Sequence, residues 1–132
     1  MKLLLLIPLL SSLLLEISIK KPQPSYRKSD IIIMSVKNTR IDTCEFYIGL
    51  EKLLNDRWAE IAVDIYSKPI SRKALLHFIP PQDSISLVCK LKNIDLGALG
   101  KAGEEYRFVT TYSRRYSAAE EKFYSSSFII KH

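Results

Sequence analysis

The chain has 132 residues, of which 47% are hydrophobic and 26% charged, and its 20 Lys and Arg against 14 Asp and Glu leave a net charge of +6. That length suits one domain with its own core, and the balance excludes a disordered tail, a collagen-like chain and a multi-span membrane protein. Two Cys allow at most one internal bridge, which excludes a dense disulfide scaffold.

Residues 1–19, MKLLLLIPLLSSLLLEISI, place Lys2 before an apolar run from Leu3 to Leu15 broken only by Pro8, Ser11 and Ser12. The run fits the apolar core of a secretory signal and is short for a bilayer span. The reading is a signal peptide over 1–19 and an exported protein, secreted or periplasmic. A membrane anchor over 3–19 and a buried N-terminal helix are the alternatives. Behind the run, Lys20, Lys21, Arg27 and Lys28 would draw the C-terminal side of an anchor toward the cytoplasm. Residues 20–29, KKPQPSYRKS, read as a solvated basic linker, because Pro22 and Pro24 oppose regular pairing.

A single β-sandwich domain is expected over 30–132. Ile31, Ile32, Ile33, Met34 and Val36 form a short apolar run ending at the turn signal Lys37–Asn38. Residues 42–50 alternate, with Cys44, Phe46, Ile48 and Leu50 on one face. Segment 50–66 is ambiguous. A helix puts Leu50, Leu53, Leu54, Trp58, Ile61, Ala62 and Ile65 on one side, whereas a strand puts Ala59, Ile61, Val63 and Ile65 together. The preferred reading is a strand over 58–67 after a helical turn or loop at 50–57. Residues 73–79 form a short strand stopped by Pro80–Pro81. Residues 84–92 alternate, with Ile85, Leu87, Cys89 and Leu91 on one face. Gly97, Gly100 and Gly103 suit a flexible loop, 104–113 is rich in aromatic and β-branched residues, and 122–131 carries two apolar clusters around a Ser triplet. Together these predict an all-β sandwich of about seven antiparallel strands. A helical 50–66 would instead make an α+β roll of cystatin shape.

Cys44 and Cys89 both fall on apolar faces. They can bridge in an exported protein, closing a loop worth about 4 kcal/mol, or remain two buried thiols. His77 reads as structural, since a Cys–His pair needs a partly exposed thiol in an electropositive site. No Cys/His spacing supplies a metal set, and no Gly-rich phosphate loop or other cofactor motif is present. Glu104–Glu105 and Glu120–Glu121 are adjacent pairs, which strands point to opposite faces. The run from 104 to 131 holds the densest aromatics. There Arg107, Tyr112, Arg114, Arg115 and Tyr116 are the candidate interaction residues, because Tyr and Arg are over-represented at hot spots.

With Cys44, Trp58 and Cys89 on strands, and with the stretch Asp83-Ser84-Ile85-Ser86-Leu87-Val88-Cys89, the chain resembles an immunoglobulin-type domain. The order of a Cys-started strand, the strand with Ile61, Val63 and Ile65, LLHF, a Pro turn and VCKLKNIDLGALGKA is similar to small exported bacterial β-sandwich proteins of unassigned function. That resemblance implies an exported sandwich and carries over no catalytic residue. The expected function is a non-catalytic binding protein, including a host-directed effector, whose partner is a protein or an acidic surface. Nucleic acid is disfavoured for an exported chain, and membrane contact would come only through an uncleaved N-terminus. A cystatin-like inhibitor and a Cys/His hydrolase are the alternatives.

Overall fold

A computed structural model describes residues 15–62, 76–113 and 120–132. Their strands, in chain order, are β1 (Leu15–Ile19), β2 (Ser25–Arg27), β3 (Ile31–Asn38), β4 (Cys44–Leu54), β5 (Arg57–Ala62), β6 (His77–Ile79), β7 (Ser84–Lys90), β8 (Glu104–Ser113), β9 (Glu120–Tyr124) and β10 (Phe128–Lys131). One 3-10 turn, Leu91–Asn93, follows β7. The all-β reading therefore holds. The described strands outnumber the expected set, and one pair, β2 with β10, is parallel.

Two sheets share the core. The smaller has the order β1-β3-β7, and the larger runs β2-β10-β8-β4-β5, with β6 also on β4 and β9 also on β8. Alternation decides which faces meet. Ile32, Met34 and Val36 of β3 and Leu87 and Cys89 of β7 point inward. They oppose Cys44, Phe46, Ile48 and Leu50 of β4 and Tyr106 and Phe108 of β8. The predicted inward face of 42–50 is the buried face observed.

The ambiguous segment resolves as a hairpin over its described part. β4 continues to Leu54, and Leu53 pairs with Trp58 and Leu54 with Arg57 across Asn55–Asp56. Both turn residues have positive φ, 49° and 63°, the geometry of a two-residue turn that matches strand twist and that Asn and Asp tolerate best. This overturns the helical turn at 50–57 and, with it, the α+β alternative. Residues 63–67 of the expected strand lie outside the described residues.

Two further readings change. Leu15–Ile19, taken as the end of the leader, pairs along its whole length with Met34–Asn38, and Leu15 and Ile19 are buried. The stretch 20–29 is not an unpaired linker, because Ser25–Arg27 joins β10. Pro22 and Pro24 stand just before that strand and so remove no ladder hydrogen bond from it.

Polar groups close both ends of the sandwich. At one end the buried Asn38 side chain donates from Nδ2 to Asp42 O at 2.8 Å and Ile79 O at 3.0 Å, while its Oδ1 accepts from Arg40 N at 2.9 Å. At the other, residues 94–99 pack Ile94, Leu96 and Leu99 into the core rather than forming a free loop. Lys52, inward on β4, holds that segment by donating to Leu96 O at 3.2 Å and Ala98 O at 3.0 Å. The Ser triplet lets the chain change register beside β8. Ser125 Oγ accepts the Phe108 N–H at 2.9 Å where a neighbouring carbonyl would otherwise serve.

Candidate interaction surface

The outer face of the larger sheet collects the side chains most suited to recognition. Arg107 on β8 lies opposite Glu51 on β4, and its Nε donates to Glu51 Oε1 at 2.8 Å. The guanidinium carbon sits 4.2 Å from the Trp58 ring centroid and 3.7 Å from that of Tyr124. The cation is thus clamped between two rings and neutralised by a buried carboxylate. Strand geometry explains the grouping. Trp58 faces Leu53, Tyr124 faces Val109, and Tyr47 faces Thr111, all on outward positions of adjacent strands. Tyr47 and Tyr124 are exposed and Trp58 is half-buried.

The candidate residues read from sequence do not all meet here. Arg107 belongs to this face. Tyr112 is buried on the opposite face of β8, with the Arg40 guanidinium 5.3 Å from its ring. Their separation is odd, so a strand must point them to opposite sides. Arg114, Arg115 and Tyr116 lie outside the described residues. The candidates read from sequence do not include Glu51, Trp58 and Tyr124 as partners of Arg107, or Tyr47 as a residue of the same face. Only strand parity, applied to four segments at once, could have pointed to them.

Cys44 and Cys89 are both free and fully buried. Cys89 is level with Ile32 on β3, while Cys44, paired with Ile79, is level with Asn38. Six residues of strand separate those levels, about 20 Å, well beyond the span of a disulfide. The bridge is therefore not formed. Burial pushes the Cys44 thiol up to about 11 and that of Cys89 up to about 12. The opposite shift would make a thiolate nucleophile. His77 pairs with Phe46 across β6 and β4 and stacks on its ring at 5.3 Å. Among the described residues no group of three His, Cys, Asp or Glu is placed to hold a metal ion. No described helix is long and apolar enough to cross a membrane.

No family model and no curated protein matches the chain. Solved structures do. The class 5 fimbriae chaperone CfaA superposes with a TM-score of 0.52 at 10% identity, covering 89% of this chain and 57% of that one. A structure of a chaperone–tip adhesin complex of CFA/I fimbriae biogenesis gives 0.49 at 12% identity, over 89% of this chain and 56% of that one. The sporulation control protein Spo0M of Bacillus subtilis gives 0.46 at 11% identity, over 90% and 49%. The chain thus spans little more than half the length of the chaperone it superposes on. At this identity the likeness to CfaA is one of fold, a β-sandwich.

Proposed function

We propose that the chain is an exported, non-catalytic protein-binding module that uses the outer face of its larger sheet. The observation that carries this reading is the clamped Arg107 between Trp58 and Tyr124, with exposed Tyr47 on the same face. Arg, Trp and Tyr dominate binding hot spots, and an arginine already held by Glu51 loses little freedom on docking. Because Glu51 balances Arg107, this face favours an apolar and hydrogen-bonding protein surface over a purely acidic one. The buried, protonated thiols argue against a cysteine hydrolase. The likeness to a fimbriae chaperone supports a sandwich that acts by binding. Export rests on the apolar run from Leu3, with a leader that ends before Leu15, since β1 belongs to the fold.

A photo-crosslinking residue placed at Tyr47, with the same residue at exposed Ser84 on the other sheet as control, tests the reading. Capture of a defined protein from the Tyr47 position alone, lost in a folded Trp58→Ala/Tyr124→Ala variant that keeps the crosslinker, supports it. Equal capture from both positions, or capture that survives the double substitution, refutes it.

A further inference from the structure

The smaller sheet exposes a second surface of different chemistry. On its outer face Ile33 pairs with Val88 and Ile31 with Lys90. Ile31 is 54%, Ile33 42% and Val88 45% exposed, contiguous aliphatic surface that alternation should have made polar. Lys20 N donates to Ile33 O at 2.8 Å, and its Nζ reaches across the face to donate to Ser86 Oγ at 2.6 Å. Lys21, held at a φ of 49°, stands beside it. Between these lysines and Ile31–Ile33 runs a groove of about 280 Å³ over the buried Tyr26 ring.

One acidic residue, Asp30, adjoins this corner, its carboxylate turned onto the Arg27 N–H at 2.8 Å, against the three cations Lys20, Lys21 and Lys90. Glu16 pairs with Lys37 at the opposite end of the sheet, where Asp83 also lies. We propose that this corner, Ile31, Ile33 and Val88 ringed by Lys20, Lys21 and Lys90, docks onto the headgroup layer of an anionic lipid bilayer. Charge selects the occupant. A second copy would oppose three lysines to themselves. A protein partner is disfavoured because the corner lacks exposed Trp or Tyr among the described residues and is rich in Lys, a type depleted at protein interfaces. Short aliphatic side chains beside lysines suit a shallow insertion in which the ammonium groups meet lipid phosphates. This surface differs from the face that carries Arg107, and its test does not depend on that reading.

The test is sedimentation of the full chain with vesicles of phosphatidylcholine alone or mixed with phosphatidylserine. The apolar N-terminal run is common to every variant compared. The wild type should partition about tenfold or more in favour of the anionic vesicles, with binding weakened by salt. Lys20→Glu/Lys21→Glu/Lys90→Glu should cut that binding by about tenfold or more. Ile31→Ser/Ile33→Ser should also cut it, with an unchanged melting temperature. Equal binding to both vesicles, or wild-type binding by either folded variant, overturns the proposal. So does loss of a dimer in Ile31→Ser/Ile33→Ser without change in vesicle binding, which would make the corner an interface between copies. A wild type that binds an acidic peptide but no vesicle likewise overturns it.

Discussion

Replacing Arg107 with Ala should destabilise the protein by about 3 kcal/mol. Its partner Glu51 has a side chain only 8% exposed, against 21% for Arg107, at a donor–acceptor distance of 2.8 Å. Removing one member of a fully buried pair costs about 3–5 kcal/mol, because the remaining charge is left desolvated. Partial access of water reduces that here to about 2 kcal/mol. The lost contacts with Trp58 and Tyr124 add about 0.5 kcal/mol each at a partly exposed site. Glu51→Gln, which leaves the cation with its two rings, should cost about 1 kcal/mol. In that background Arg107→Ala should cost only about 1 kcal/mol more, a coupling near 2 kcal/mol. Urea unfolding followed by far-UV circular dichroism measures all three variants. Equal costs of Arg107→Ala with and without Glu51 would refute the idea that the pair, rather than ring stacking, holds this face. A cost below about 1 kcal/mol would show that the cluster is loosely held and not pre-ordered for binding.

Three other outcomes follow from the packing. Gly103 has a φ of +80°, and a Cβ there would lie 2.6 Å from Ile129 Cγ2 and 2.7 Å from Ile130 O, so Gly103→Ala should cost about 2–4 kcal/mol in a thermal or urea melt. The thiols make stability fall at high pH. Folded values of about 11 and 12 stand above the ordinary 9.0, so the unfolded chain loses these protons first as pH rises past 9. Below pH 9 both states are protonated and the thiols contribute no pH dependence. From pH 9 toward 11 each should remove about 1.4 kcal/mol per pH unit, and Cys89→Ala should halve that slope between pH 9 and 10. Removing residues 15–19 in addition to 1–14 should cost about 4–5 kcal/mol relative to removing 1–14 alone, by uncovering the contacts of Leu15 and Ile19 and the edge of β3. If the chain is exported as proposed, an intact mature mass that begins beyond residue 19 would contradict the place of β1 in the fold.

Period-two alternation in the sequence determined the class of fold and the inward sides of β4 and β7. Sheet sterics act residue by residue, and a buried face leaves its mark on every second position. The same rule, applied as parity, already separates Arg107 from Tyr112. Partner choice left no such local mark. That Ser25–Arg27 pairs with Ile129–Lys131, that Leu15–Ile19 covers β3, and that Trp58, Glu51, Arg107 and Tyr124 converge are results of non-local ladders between distant segments. Cys44 and Cys89 show the limit most plainly. Their inward direction was legible in each strand, but their level along the sandwich depends on the register of β7 on β3 and of β6 on β4. Register is a property of two chains of neighbours and not of either sequence segment alone. Tertiary structure therefore decided between a bridge and two isolated thiols.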